Sequence, residues 1–116
     1  MNIVKTSVYQ ITGTPICVEA DDGMKVYKVL SKFLQENQKV VLSFLNVEMV
    51  TSAFLNTAIG LLYKDFSEDS IKKYIQLEDM LPLDAELLKR VVISAKLYFK
   101  DPERMEKSIQ AILGED

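Results

Sequence analysis

The order of apolar and polar residues divides the N-terminal part of the chain into short extended segments. The stretch NIVKTSVYQI, residues 2–11, alternates apolar and polar positions, which is typical of a half-buried strand. A turn follows at TGTP, marked by its glycine and proline, and the short apolar run ICV begins a second strand. The pattern therefore predicts a hairpin between these two strands.

The next segment carries apolar residues at helical spacing. We expect a helix with Asp21 or Asp22 as its N-cap that ends near Asn37. Its apolar stripe consists of Val26, Tyr27, Leu30, Phe33 and Leu34. The run KVVLSF that follows is apolar almost throughout, which indicates a strand buried inside a sheet.

The second half of the chain repeats this alternation of strands and helices. A helix at 53–66 is interrupted by Gly60, which costs about 1 kcal/mol relative to alanine and favours the close approach of another backbone through internal packing. The strand IKKYIQL comes next, and a helix then begins after Pro82 with Asp84 as its cap. A last helix is expected at about 102–113, packed on the domain.

The predicted element order is strand, strand, helix, strand, helix, strand, helix, helix. The later strand–helix–strand connections require parallel pairing with right-handed crossovers. We therefore expect an α/β fold with a four-stranded mixed β-sheet covered by about four α-helices, and with one face of the sheet only partly covered. Residues 1–116 are expected to form a single domain, because a chain of 116 residues has the size of one ordinary core.

Composition and charge narrow the classes of function. The chain is 48% hydrophobic and 27% charged, which is typical of a globular protein. Residues 1–100 carry 12 basic and 12 acidic side chains, so the net charge of −3 comes from the remaining 16 residues. No basic stripe has the size that binding to a phosphate backbone requires, and nucleic acid is not an expected partner.

Residues suited to catalysis are scarce. The chain has no histidine, which excludes Ser-His-Asp and Cys-His arrangements and histidine-ligated metal sites. The pairs Asp21-Asp22 and Glu78-Asp79 lie at the ends of predicted elements, where capping and solvation explain them. Cys17 has apolar neighbours and is expected to be a core residue. We therefore expect no enzyme activity, no cofactor and no metal.

The sequence indicates a cytoplasmic protein with no membrane partner. Its first residues, MNIVKTSVYQ, lack a basic region followed by an apolar segment. No apolar run approaches the roughly 18 residues that a membrane span requires.

Two adjacent hydroxyl residues, Thr51 and Ser52, stand between the strand KVVLSF and the helix at 53–66. The first N–H groups of a helix are unpaired and carry partial positive charge. Either hydroxyl could cap this helix, which is worth about 1 kcal/mol. Either could also accept a phosphate, which the same field would favour. The pattern leaves both uses open.

The segment VVLSFLNVEMVTSAFLNTAIGLLY, with DDGMKVYKVL before it and LLKRVVISAKLYFKDPE after it, resembles the STAS-like family of small bacterial proteins of unknown function. STAS domains are those of sulphate transporters and anti-sigma-factor antagonists. In the antagonists a loop ends in Asp-Ser, and a partner kinase phosphorylates the serine at the start of a helix. The resemblance places Ser52 at this serine and Thr51 at the aspartate, and Phe54 stands where the antagonists have a small residue.

The resemblance implies a non-catalytic regulatory module that docks on another protein through the loop 45–52 and the start of the helix at 53–66. The implied partner is an ATP-binding protein of the anti-sigma or histidine-kinase-like type, and the module itself is expected to be a monomer or weak dimer. Ser52 and Thr51 are the candidate phosphoacceptors. The candidate partner-binding residues are Asn46, Glu48, Thr51, Ser52, Phe54 and Asn56.

The alternative function is a sensor of a small ligand, an anion or a nucleotide, at the same helix N-terminus. A glycine-rich phosphate-binding loop, which would support this function, is absent from the sequence.

Overall fold

The structure, a computed structural model, describes residues 2–100, so the predicted helix at 102–113 lies outside the described residues. The described chain contains five strands: β1 Val4–Ser7, β2 Ile16–Cys17, β3 Val40–Ser43, β4 Met49–Val50 and β5 Ile75–Glu78. β1, β3 and β5 form a parallel main sheet with β3 in the middle, whereas β2 and β4 form a separate parallel pair. The α/β class is confirmed, but the single four-stranded mixed sheet is wrong.

Helices account for most of the described chain. The α-helices are α1 Val8–Thr12, α2 Ala20–Gln35, α3 Ser52–Leu55, α4 Leu62–Asp65, α5 Glu68–Tyr74 and α6 Pro82–Lys100. A π-helical turn, Asn56–Gly60, joins α3 to α4, so residues 52–65 form one continuous segment that we call the central helix. Of the helices within residues 2–100, none has the length and apolar content needed to cross a membrane.

The predicted N-terminal hairpin is wrong because residues 2–11 form a strand and then a helix. The Ser7 hydroxyl accepts a hydrogen bond from the Gln10 N–H at 3.0 Å and thereby caps α1. Gly13, with φ of +75°, ends α1, and its N–H donates to the Tyr9 carbonyl. The chain therefore leaves the main sheet after β1 and enters the two-stranded pair.

The segment IKKYIQL, residues 71–77, is helical in its first half and extended in its second. The Ser67 hydroxyl accepts a hydrogen bond from the Ser70 N–H at 3.1 Å and starts α5. Two acidic residues in the first turn and two lysines in the last turn also favour a helix here. The strand therefore begins only at Ile75.

The acidic residues that were expected to cap two helices lie inside the first turns instead. Asp21 and Asp22 belong to the first turn of α2, whose N-cap position is occupied by Glu19. Asp84 likewise lies in the first turn of α6, which already begins at Pro82. Carboxylates in these positions still interact favourably with the positive end of each helix.

The helices cover one face of the main sheet. Val40 and Leu42 of β3 are fully buried in the apolar core that β3 forms with α2 and the central helix. Lys5, Val41 and Gln76 share the other face by register, and Lys5 and Gln76 are exposed there. The expectation of one partly covered face is confirmed.

The backbones of α2 and the central helix approach closely at Gly23. A Cβ atom on Gly23 would lie 2.6 Å from the Phe54 carbonyl oxygen and 2.9 Å from the Thr57 Cβ. Gly60 packs internally, as expected, but a Cβ atom on Gly60 would meet a side-chain atom of α6, the Ala95 Cβ, at an ordinary 3.6 Å. The close backbone contact expected at Gly60 is therefore found at Gly23.

Gly23→Ala is expected to lower the free energy of unfolding by about 2 kcal/mol or more, because the added methyl group would meet a backbone carbonyl that moves only if the two helices separate. Gly60→Ala is the matched control, and we expect it to be neutral or to stabilise by up to about 1 kcal/mol. Urea unfolding of both variants measures the difference. Wild-type stability of Gly23→Ala would contradict the close contact.

Candidate functional site

The loop 44–48 leaves β3 at the carboxyl edge of the main sheet, meaning the edge where its parallel strands end. The Phe44 N–H donates a hydrogen bond to the Glu78 carbonyl at 2.9 Å. The Ser43 hydroxyl donates to the Asp79 carboxylate at 2.6 Å. Because β3 and β5 are parallel, the segments after both strands meet here. These two bonds tie the start of the loop to the end of β5.

The other end of the loop is held by the segment before β2. The N–H groups of Glu48 and Met49 both donate to the Pro15 carbonyl, at 2.8 and 3.3 Å. Asn46 adopts a left-handed conformation with φ of +68°, which asparagine tolerates better than most residues. Val47 is buried between these fixed ends. The loop is therefore anchored on both sides.

Thr51 is the N-cap of the central helix. Its hydroxyl accepts a hydrogen bond from the Phe54 N–H at 3.3 Å and donates one to the Val18 carbonyl at 2.8 Å. Its backbone N–H donates to the Cys17 carbonyl at 3.3 Å. Thr51 therefore closes the start of the central helix and also holds it to the segment that precedes α2.

Ser52 follows as the first helical residue, and its side chain is exposed. Within the part of the chain that the structure describes, its hydroxyl makes no hydrogen bond. Of the two hydroxyls that could cap the central helix, the Thr51 hydroxyl is therefore the one that does so. Ser52 is left as the accessible hydroxyl beside the loop.

The remaining candidate residues lie in different environments. Asn46 and Glu48 are exposed on the loop, close in sequence to Ser52. Phe54 is fully buried in the core, because the start of the central helix packs against α2. The expected contact between the Phe54 side chain and a partner is not compatible with this burial. Asn56 is exposed, but it faces α6 rather than the loop.

Asn56 belongs to a groove of about 280 Å³ between the π-helical turn and the C-terminal half of α6. Its other lining residues are mostly apolar or aromatic: Gly60, Leu61, Ser94, Ala95, Tyr98 and Phe99. None of the loop residues lines this groove. The structure therefore places the Asn56 side chain in a groove apart from the loop, although Asn56 lies one helical turn after Ser52 and its N–H donates to the Ser52 carbonyl.

Exposed apolar side chains lie on residues 45–52 and next to them, and two of these side chains belong to segments that the sequence did not connect with the loop. We call them the edge patch, and their exposed fractions are 42% for Tyr9, 40% for Ile16, 60% for Leu45 and 52% for Met49. Ile16 and Met49 are register partners in the two-stranded pair. Tyr9 lines a groove of about 550 Å³ together with Pro15, Asn46, Val47 and Glu48.

The expected hairpin concealed this cluster, because it placed Tyr9 within an extended strand. Ser7 in a capping position and Gly13 after one helical turn were the available signals for α1. With α1 formed, Tyr9 reaches the groove beside the loop.

The residues of this site form an exposed surface next to a buried thiol. Cys17, which lies next to it in β2, is fully buried, which confirms the prediction of a core residue. Burial raises the pKa of the Cys17 thiol, so the thiolate is disfavoured at neutral pH. Across residues 2–100, no group of three or more carboxylate or thiol side chains could hold a metal ion.

The sheet, the helices on one face and the capped helix at its carboxyl edge define a small α/β domain. Over residues 22–82, slightly more than half of its length, the chain matches the model of the STAS-like domain of unknown function (DUF4325), and it belongs to that family. The matched stretch contains Thr51, Ser52 and the whole central helix. No curated protein and no solved structure matches the chain. The resemblance found in the sequence is thus confirmed.

Thr51→Ala is expected to lower the free energy of unfolding by about 1 to 2 kcal/mol, because it removes the cap and the bond to the Val18 carbonyl. Ser52→Ala is the matched control and should change stability by less than about 0.5 kcal/mol. Guanidinium unfolding of both variants checks this difference. A greater loss in Ser52→Ala than in Thr51→Ala would contradict the assignment of the cap.

Proposed function

We propose that this STAS-like domain is a non-catalytic regulatory module that docks on a protein partner through residues 45–52 and the exposed start of the central helix. The observation that carries the proposal is the edge patch. Each of its four side chains is at least 40% exposed: Leu45 and Met49 belong to residues 45–52, Ile16 is the register partner of Met49, and Tyr9 lines the groove beside the loop. Clustered exposed apolar side chains are typical of protein interaction sites.

The anchored loop also suits docking. Hydrogen bonds tie one end of the loop to the end of β5 and the other to Pro15, and Thr51 holds the helix start. A surface that is already ordered loses little conformational entropy when a partner binds. Met49 and Glu48 are therefore presented in a nearly fixed geometry.

The partner class that the resemblance to the antagonists supports is an ATP-binding protein of the anti-sigma or histidine-kinase-like type. Such a partner would occupy the edge patch in a heteromeric complex, so we propose that the free domain is a monomer or a weak dimer. A cytoplasmic location fits a partner of this kind.

We further propose that phosphorylation of Ser52 regulates docking. Ser52 is exposed, follows Met49 and Glu48 by three and four residues in the sequence, and does not serve as the cap. A phosphate adds a charge of about −1.5 to −2 at neutral pH, at a helix start whose N–H groups favour anions. Thr51 is the poorer acceptor because its hydroxyl is half-buried and already both donates and accepts a hydrogen bond.

The alternative of an anion or nucleotide sensor has less support from the geometry. The groove beside the loop is lined by Glu48, and no basic side chain of residues 2–100 lines it. A carboxylate in this position would repel the ligands that such a sensor binds.

Met49→Ser tests docking, because it removes an exposed apolar side chain of the edge patch. We expect it to weaken binding to the partner captured from the host by at least about tenfold, or about 1.4 kcal/mol, without lowering the melting temperature. Leu97→Ser is the control, since Leu97 is 57% exposed on α6 and Met49 is 52% exposed. Equal binding of both variants to the purified partner would show that the edge patch is not the docking surface.

Phosphorylation is tested on protein purified from its own host. We expect mass spectrometry to find phosphate on Ser52 and none on Thr51, because Ser52 is exposed and its hydroxyl makes no hydrogen bond within residues 2–100, whereas the half-buried Thr51 hydroxyl makes two. Protein produced in a heterologous host and treated with phosphatase provides the unmodified reference. Absence of phosphate from both residues under every growth condition in which the partner is captured would contradict regulation at this site.

A further inference from the structure

Charge is distributed unevenly between the two ends of the domain. α2, the central helix and α6 all begin at the carboxyl edge, where the segments after β3 and β5 also lie. Of the twelve acidic side chains in residues 2–100, six lie in these segments or within the first six residues of these helices, and two more adjoin them as the N-cap of α2 and the last residue of β5: Asp21, Asp22, Glu48, Asp79, Asp84 and Glu86, with Glu19 and Glu78. Of the twelve basic side chains, one lies there, Lys25.

The acidic end has almost no compensating charge of its own. Lys25 pairs with Asp22 at 3.4 Å, so its charge is already partly balanced. The other eleven basic side chains of residues 2–100 lie farther along the helices or in the strands and segments away from this edge. The carboxyl edge therefore combines an uncompensated negative field with the exposed apolar side chains of the edge patch.

We infer that the protein partner presents a basic amphipathic surface, with apolar side chains for the edge patch and lysines or arginines for the surrounding carboxylates. This inference rests on the proposed docking function. Each exposed ion pair is weak, but the summed field accelerates encounter with a basic partner and disfavours an acidic one. Glu48 is the central carboxylate, because it lines the groove with Tyr9 and lies next to Met49.

The negative field at the carboxyl edge predicts whether phosphorylation of Ser52 strengthens or weakens docking. A phosphate on Ser52 adds about 1.5 to 2 negative charges to an end that is already acidic. It therefore strengthens docking of a basic partner, and Ser52→Asp is expected to do the same to a smaller degree.

The first test uses a synthetic amphipathic helix of leucine and lysine as the probe and its leucine–glutamate counterpart as the control. We expect the lysine peptide to shift the backbone amide NMR signals of residues 45–52 and of Ile16, and the glutamate peptide to leave them unchanged. Affinity for the lysine peptide should fall severalfold as salt rises from about 0.05 M to about 0.3 M. Shifts confined to other surfaces, or equal binding of both peptides, would overturn the inference.

The second test compares charge reversals at opposite ends of the domain. Glu48→Lys should weaken binding of the lysine peptide at least about fivefold, whereas Ser52→Asp should tighten it about twofold to threefold. Glu36→Lys is the matched control, because Glu36 is exposed at the C-terminal end of α2 and the change in net charge is identical. An equal loss in Glu36→Lys and Glu48→Lys would mean that only net charge matters, which contradicts the inference.

Binding of the variants to the partner captured from the host distinguishes a failure of this inference from a failure of the proposed function. If Met49→Ser loses that partner and Glu48→Lys retains it fully, docking at the edge patch stands and the basic character of the partner is wrong. If both variants retain the partner, docking at this surface is itself wrong. Loss of the partner in both variants, with Glu36→Lys unaffected, supports both.

Discussion

The contact between α2 and the central helix at Gly23 is the constraint on which the candidate site depends. Backbone meets backbone there, because a Cβ on Gly23 would lie 2.6 Å from the Phe54 carbonyl oxygen. At the far end of the pair, the Tyr27 hydroxyl donates to the Asp65 carboxylate at 2.7 Å, a bond that raises the pKa of Tyr27. Since α2 and the central helix both begin at the carboxyl edge, their packing determines where Ser52 emerges.

The adjacent residues Thr51 and Ser52 differ in role because the backbone changes conformation between them. Thr51 is still extended, with φ of −118° and ψ of 164°, so its hydroxyl reaches the N–H of the third helical residue. Ser52 is already helical, and its side chain points to solvent. The cap and the accessible hydroxyl are thus separate residues, and a phosphate on Ser52 would leave the cap in place.

Strong periodic patterns made the larger strands and helices predictable. Local capping and packing determined the short helix α1, the close helix contact and the environment of the candidate residues. The apolar run of β3 and the stripes of α2 and α6 were evident in the sequence. The helix after Ser7 was missed because one hydroxyl cap of about 1 kcal/mol decides between a strand and a single turn. Periodicity alone also gives no reason to prefer Gly23 over Gly60 as the close contact, or to bury Phe54. Tyr9 reaches the groove beside the loop through that missed helix, so the sequence indicated the segment that holds Leu45 and Met49 but not the contribution of Tyr9 to the edge patch.

The π-helical turn lies where the central helix packs between two other helices, α2 and α6. Its Leu61 N–H donates to the Asn56 carbonyl at 3.0 Å, a bond five residues long that accommodates one extra residue. One residue rotates the side chains that follow by about 100°, because an α-helix has 3.6 residues per turn. α3 and the π-helical turn contact both α2 and α6, whereas α4 contacts α6 and α5 and is joined to α2 through the Tyr27–Asp65 hydrogen bond. The central helix therefore packs against α6 along its whole length and against α2 mainly through α3 and the π-helical turn, and Ser52 stays at the carboxyl edge.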